Sequence, residues 1–120
     1  SMGNKNDRND PPPPKTYVRF TERYPELEKA WSLIHDAGKD GPLDGGTVRL
    51  VKLALAMGAG LEGQVHSGVR KALAEGVPKD AVEQVVALAA GTVGLPRTAA
   101  LYTWAKDVIE NPKGPRGGCC

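Results

Sequence analysis

The chain has 120 residues, enough for a single domain. Its formal net charge of +2 comes from its ends, because residues 25–110 hold nine basic and eleven acidic residues. This distribution argues against a nucleic-acid-binding body, and no apolar run reaches the roughly 18 residues of a membrane span. We expect no signal peptide, and the only cysteines of the sequence are Cys119 and Cys120. We therefore expect a cytoplasmic protein without a disulfide framework.

Both ends of the chain are rich in helix breakers. Residues 1–16, which include four consecutive prolines, are predicted to form a disordered proline-rich arm, and residues 111–120 a flexible tail. The folded domain is then expected at residues 17–110. A chain this small buries only about 60% of its unfolded surface. Association with copies of itself would remedy so thin a core, so we expect a homo-oligomer.

Between these ends the sequence predicts helices and no strand. The predicted helices begin at Pro25 and end at Gly38, run from about Gly46 to Met57, cover residues 61–76, extend from Pro78 to about Gly91, and extend from Pro96 to just before Asn111. In the second of them, the inward face is predicted to consist of Val48, Val51, Ala54 and Leu55. The fold class is therefore all-α, a compact bundle of about five to six helices with short connections.

The third predicted helix, LEGQVHSGVRKALAEG, contains a glutamate and a histidine one turn apart. On a wheel of about 100° per residue, Glu62 lies inside the apolar arc and His66 at its margin. A carboxylate facing a core is costly unless it is paired. Two interpretations remain open. Glu62 and His66 are an acid/base pair in a pocket, or Glu62 is an acid at a helix start that pairs or caps locally.

Other kinds of site have less support. The two histidines, His35 and His66, show no close ligand spacing such as HExxH, so we expect no metal. No glycine-rich loop follows a strand, and we expect no cofactor.

The motifs KLALAMGAG, EGQVHSGVRKALAEGV, PKDAVEQVV and GLPRTAAL together resemble the carboxymuconolactone decarboxylase family, which includes the alkylhydroperoxidase D-like proteins. The resemblance covers roughly residues 44–106. It implies an all-α fold and a homo-oligomer, commonly a trimer or hexamer. These implications agree with the small core and the helical pattern.

The peroxidase branch of this family uses a Cys-x-x-Cys motif, a histidine four residues later and an upstream glutamate. Alignment on the AEG at residues 74–76 places the two cysteines on Leu61 and Gln64. The same alignment places the histidine on Gly68 and the glutamate on Arg49. None of the four residues matches. Because a thiolate is needed to attack a peroxide, we expect no peroxidase activity from the folded domain.

The resemblance therefore favours the lyase branch over the thiol peroxidase. We expect proton-transfer or decarboxylation chemistry on a small organic acid, with Glu62 and His66 as the catalytic residues. Arg49, Arg70 and Arg97 are the cationic side chains that could bind the substrate carboxylate. The alternatives are a non-catalytic oligomeric module of the same fold and a residual peroxidase or antioxidant role.

Overall fold

The computed structural model describes residues 15–111, which form six α-helices. They are α1 (Lys15–Arg23), α2 (Pro25–Asp36), α3 (Gly45–Ala59), α4 (Glu62–Ala74), α5 (Lys79–Val93) and α6 (Leu95–Glu110). Within this described part there is no strand, and the predicted all-α class is confirmed. None of these six helices is long and apolar enough to cross a membrane.

Local signals in the sequence account for several helix ends. Pro25 is the first residue of α2, a position where the missing N–H costs nothing. Asp44 caps α3, since its Oδ1 accepts a hydrogen bond from the Thr47 N–H at 2.8 Å. Gly60 ends α3 with a φ of +70°, in the left-handed region where a residue without a Cβ is favoured. The predicted bounds of α2 to α6 hold to within a few residues.

Helix α1 was not predicted. It begins at Lys15, inside the segment predicted to be an arm, and its one buried residue is Thr21. The Thr21 hydroxyl donates to backbone carbonyls of the preceding turn at 3.1 Å. The rest of the predicted arm, and the tail with Cys119 and Cys120, lie outside the described residues.

The core lies among the last four helices. α4 packs between α3 and α6, while α5 packs on both α6 and α3. The buried apolar side chains come from α3 to α6 and are Leu53, Ala56, Met57, Val65, Val69, Ala72, Val82, Val86, Leu101, Ala105 and Val108. α1 and α2 pack on each other and make only sparse contact with this four-helix core.

The predicted inward face of α3 is wrong for the isolated chain. The buried side chains of α3 are Leu53, Ala56 and Met57, whereas Leu55 is 68% exposed and Val51 is also exposed. The apolar residues of α3 are distributed around the whole helix, so their spacing alone could not identify the side that contacts the core. One apolar side of α3 consequently remains open to solvent.

Candidate functional site

Helix α4 carries three polar side chains along one side. Glu62, His66 and Arg70 follow one another at intervals of four residues, which places neighbours roughly 6 Å apart along the helix. Glu62 is exposed, whereas His66 is 7% and Arg70 8% exposed. We refer to these three residues as the α4 polar row. It leads from a carboxylate in solvent to an imidazole and a guanidinium inside the protein.

The wheel places Glu62 inside the apolar arc of α4, but this position does not bury its side chain. Glu62 does point in the direction of the buried side of α4, but it is the first residue of the helix and its side chain is exposed. A helical wheel gives the direction of a side chain and not whether neighbouring helices extend far enough to cover it. At this end of α4 the free N–H groups and the helix dipole favour an acid, so Glu62 is well placed without burial.

Arg97 lies at the same end of α4. Its guanidinium packs against Gly60, two residues before Glu62, so closely that a Cβ on Gly60 would overlap it. Gly60 terminates α3, where the negative end of the helix dipole favours a cation. The structure thus places Arg97 beside the turn from which the α4 polar row begins, and its side chain is exposed.

Arg49 lies elsewhere. It forms a bidentate ion pair with Glu75, with Nη2–Oε2 and Nε–Oε1 distances of 2.9 and 3.3 Å. Glu75 follows the last residue of α4, about 20 Å along the helix from Glu62. The structure therefore does not bring Arg49 together with Glu62. Sequence reasoning missed Glu75 as its partner, because the two residues are 26 positions apart and no local pattern connects them.

Three of the four positions that the resemblance assigns to a thiol relay lie on or next to α4, and the fourth is the ion-paired Arg49 of α3. Leu61 and Gln64 are exposed at the start of α4. Gly68 lies directly against α3, where an added Cβ would come within 3.2 Å of the Leu53 Cδ1. The histidine position of the relay is thus a close helix contact in this chain.

Comparison with known proteins gives one match, to the model of a protein family. The model of the carboxymuconolactone decarboxylase family matches residues 25–107, which extend from the start of α2 into α6. Searches of curated proteins and of solved structures found no match.

Proposed function

We propose that this chain, which belongs to the carboxymuconolactone decarboxylase family, performs acid/base chemistry on a small organic acid. The reaction class would be proton transfer or decarboxylation. The observation that carries the proposal is the α4 polar row. A buried imidazole lies between an exposed carboxylate one turn earlier and a buried guanidinium one turn later.

The roles follow from the positions of the three groups. His66 is shielded from water and holds the proton that is transferred to or from the substrate carbon. Glu62 is in contact with solvent and exchanges that proton with water. In a decarboxylation the carbon–carbon bond breaks, carbon dioxide leaves, and the electron pair remains on the substrate carbon until His66 protonates it. These reaction steps require a proton and no oxidant.

The arginines have a more restricted role. A cation that holds the departing carboxylate would stabilise the ground state and slow its loss. Arg70 or Arg97 would therefore assist by binding a second carboxylate, or an oxygen on which negative charge develops as carbon dioxide leaves. Substrates with two acidic or carbonyl groups fit this arrangement better than simple monocarboxylates.

The test measures the binding and turnover of a panel of small mono- and dicarboxylic acids, together with melting temperature. Glu62→Gln should leave folding almost unchanged and abolish turnover, because the amide keeps the shape without transferring a proton. His66→Ala should also abolish turnover. Asp80→Asn is the matched control, since Asp80 is likewise an acid in the first turn of a helix and is exposed. Large stability losses in both Glu62→Gln and His66→Ala, with no acid bound by the wild type, would contradict the proposal and favour a packing role.

We also propose that the protein is a homotrimer or homohexamer. The supporting observation is apolar surface left open on two elements. Trp31 and Ile34 of α2 are 41% and 63% exposed, and Val51 and Leu55 form an exposed apolar pair one turn apart on α3. Surfaces of this kind on a small domain are typical of interfaces between protomers.

Light scattering at micromolar concentration tests the assembly. The expected mass is a multiple of the 12.7 kDa chain, and Leu55→Lys should reduce it. A monomer mass for the wild type would contradict the proposal. A stable oligomer that binds no member of the acid panel would favour the second candidate function, a non-catalytic oligomeric module.

A further inference from the structure

Helix α2 carries large apolar side chains on one side, and its own chain leaves them exposed. Leu27, Trp31 and Ile34 lie within about 60° of one another around the helix. Their side chains are 47%, 41% and 63% exposed. We call these three residues the α2 ridge. No residue of α2 is buried, and a helix of 12 residues is barely stable alone in water, so α2 needs a surface to pack on.

Helix α3 has an apolar surface without cover. Val51, Ala54, Leu55 and Gly58 lie within an arc of about 100°, on the opposite side of the helix from the buried Leu53, and all four are exposed. We call these four residues the α3 stripe, which contains no charged residue. A Cβ on Gly58 would meet nothing within 4 Å, so a large side chain has room there. A helix that is apolar on opposite sides is normally covered on both.

Charged groups lie at one end of each surface. Glu26 and Glu28 are the neighbours of the first ridge residue, both are exposed, and neither forms an ion pair with another described residue. Arg97 packs against Gly60, two residues after the end of the stripe. It is also exposed and has no ion pair within the described part of the chain. The start of the ridge is therefore acidic, and the end of the stripe is basic.

We propose that the α2 ridge of one chain packs antiparallel against the α3 stripe of a second copy of this chain. The inference rests on the proposed homo-oligomer and specifies how its chains meet. Ridge and stripe each span seven residues, about 10 Å, so Ile34 meets Val51 of the neighbouring copy and Leu27 meets its Gly58. This direction brings the two acids of α2 to Arg97 and also opposes the helix dipoles. Within one chain, Ile34 and Leu55 do not cover each other, since they are 63% and 68% exposed.

The contact determines the symmetry of the assembly. Ridge and stripe are different surfaces, so each chain offers one ridge and receives another. Heterologous contacts of this kind close into rings, whereas a two-fold dimer brings a surface against its own copy. The contact therefore favours a ring of three chains, or two such rings. Because it pairs Arg97 with the neighbouring acids, it leaves Arg70 as the arginine for a substrate.

Disulfide cross-linking tests the contact and its register. Cys119→Ser and Cys120→Ser first remove the native thiols, and Ile34→Cys and Val51→Cys are then introduced together. Mild oxidation should give a covalent trimer on a non-reducing gel, because each chain is joined to two neighbours. Leu27→Cys with Val51→Cys is the matched control. These positions lie at opposite ends of the contact, about 10 Å apart and beyond the reach of a disulfide, so this chain should remain a monomer on the gel.

Three results of the cross-linking would overturn the proposal. The first is a disulfide that forms within one chain between Ile34→Cys and Val51→Cys, or no disulfide at all. The second is equal cross-linking of the control chain with Leu27→Cys. The third is a covalent dimer formed by Val51→Cys alone, which would mean that two α3 stripes meet across a two-fold axis.

Light scattering distinguishes this contact from the assembly itself. Trp31→Lys should lower the mass to that of the 12.7 kDa chain, with its helices retained by circular dichroism. Leu88→Lys changes a residue of α5 that is 69% exposed, and it should retain at least a trimer. A monomeric wild type would contradict the proposed assembly and this contact with it. An oligomeric wild type whose mass survives Trp31→Lys would overturn the contact alone, and cross-linking decides the case if Trp31→Lys loses its helices.

Discussion

The contact between Gly68 and Leu53 allows a quantitative test of the packing between α3 and α4. A Cβ at Gly68 would lie 3.2 Å from the Leu53 Cδ1, and Leu53 is 1% exposed and has little room to move. Replacing a helical glycine by alanine ordinarily gains about 1 kcal/mol. At Gly68 the crowding should cancel most of this gain. Gly68→Ala is therefore expected to lie within about 1 kcal/mol of the wild type.

Gly68→His is the more informative change, because it restores the histidine that the resemblance places at this position. The imidazole must enter the space that Leu53 occupies, and overpacking of this kind costs about 1–3 kcal/mol. A loss of 1 kcal/mol lowers the melting temperature of a domain of this size by roughly 4–8 °C. Urea unfolding followed by tryptophan fluorescence, at one fixed protomer concentration, measures the difference.

The matched control is Gly91→His. Gly91 is an exposed glycine of α5, and a Cβ there would meet nothing within 4 Å. This variant should be neutral or slightly stabilising, so the difference between the two histidine variants isolates the packing cost. Leu53→Ala alone should cost about 2–5 kcal/mol. Combined with Gly68→His, it should cost less than the sum of the single changes. Equal stability of Gly68→His and Gly91→His would refute the reasoning.

Three further predictions concern an ion pair, a helix cap and the tail. In a double-mutant cycle on Arg49→Ala and Glu75→Ala, a coupling of about 1 kcal/mol is expected for a bidentate, partly buried pair, and strictly additive losses would contradict it. The backbone N–H of Thr47 lowers the pKa of Asp44 from 3.8, so the stabilisation by this charge is present above pH 3.8 and is lost as the pH falls through the lowered value. Asp44→Asn keeps the capping oxygen, and its difference in melting temperature from the wild type should shrink as the pH is lowered below 3.8; a difference that does not change with pH would have another cause. A chain that lacks residues 119–120 should show no peroxide turnover with a reductant, because it contains no thiol, and robust turnover would prove this wrong.

The positions of the helices could be predicted because they depend on local signals. Proline at a first helical position and glycine at an end act within one or two turns, and the ends of α2 and α3 illustrate both. The side of a helix that is buried depends on its neighbours. The apolar residues around α3 fit more than one neighbour, so the inward face was assigned to Leu55 when Leu53 is the buried residue.

The side of α4 that carries the candidate residues could be predicted, but the burial of their side chains could not. The spacing of Glu62, His66 and Arg70 puts them on one side of α4, and only His66 and Arg70 are buried. The exposure of Glu62 depends on where α4 begins relative to the helices around it. Spacing could not reveal the pair of Arg49 and Glu75 either, because it depends on the antiparallel register of α3 and α4.

The geometry of α4 also bears on how this chain relates to the thiol branch of its family. His66 and Gly68 are two residues apart and therefore point in directions that differ by about 200°. The same offset separates Glu62 from Gln64. The α4 polar row and the three relay positions at α4 (Leu61, Gln64 and Gly68) consequently lie on nearly opposite sides of one helix. Gly68 shows that the relay side now serves as the contact with α3, through Leu53. The acid/base chemistry proposed here therefore does not depend on substituting other residues for the missing cysteines, since it uses a different side of the same helix.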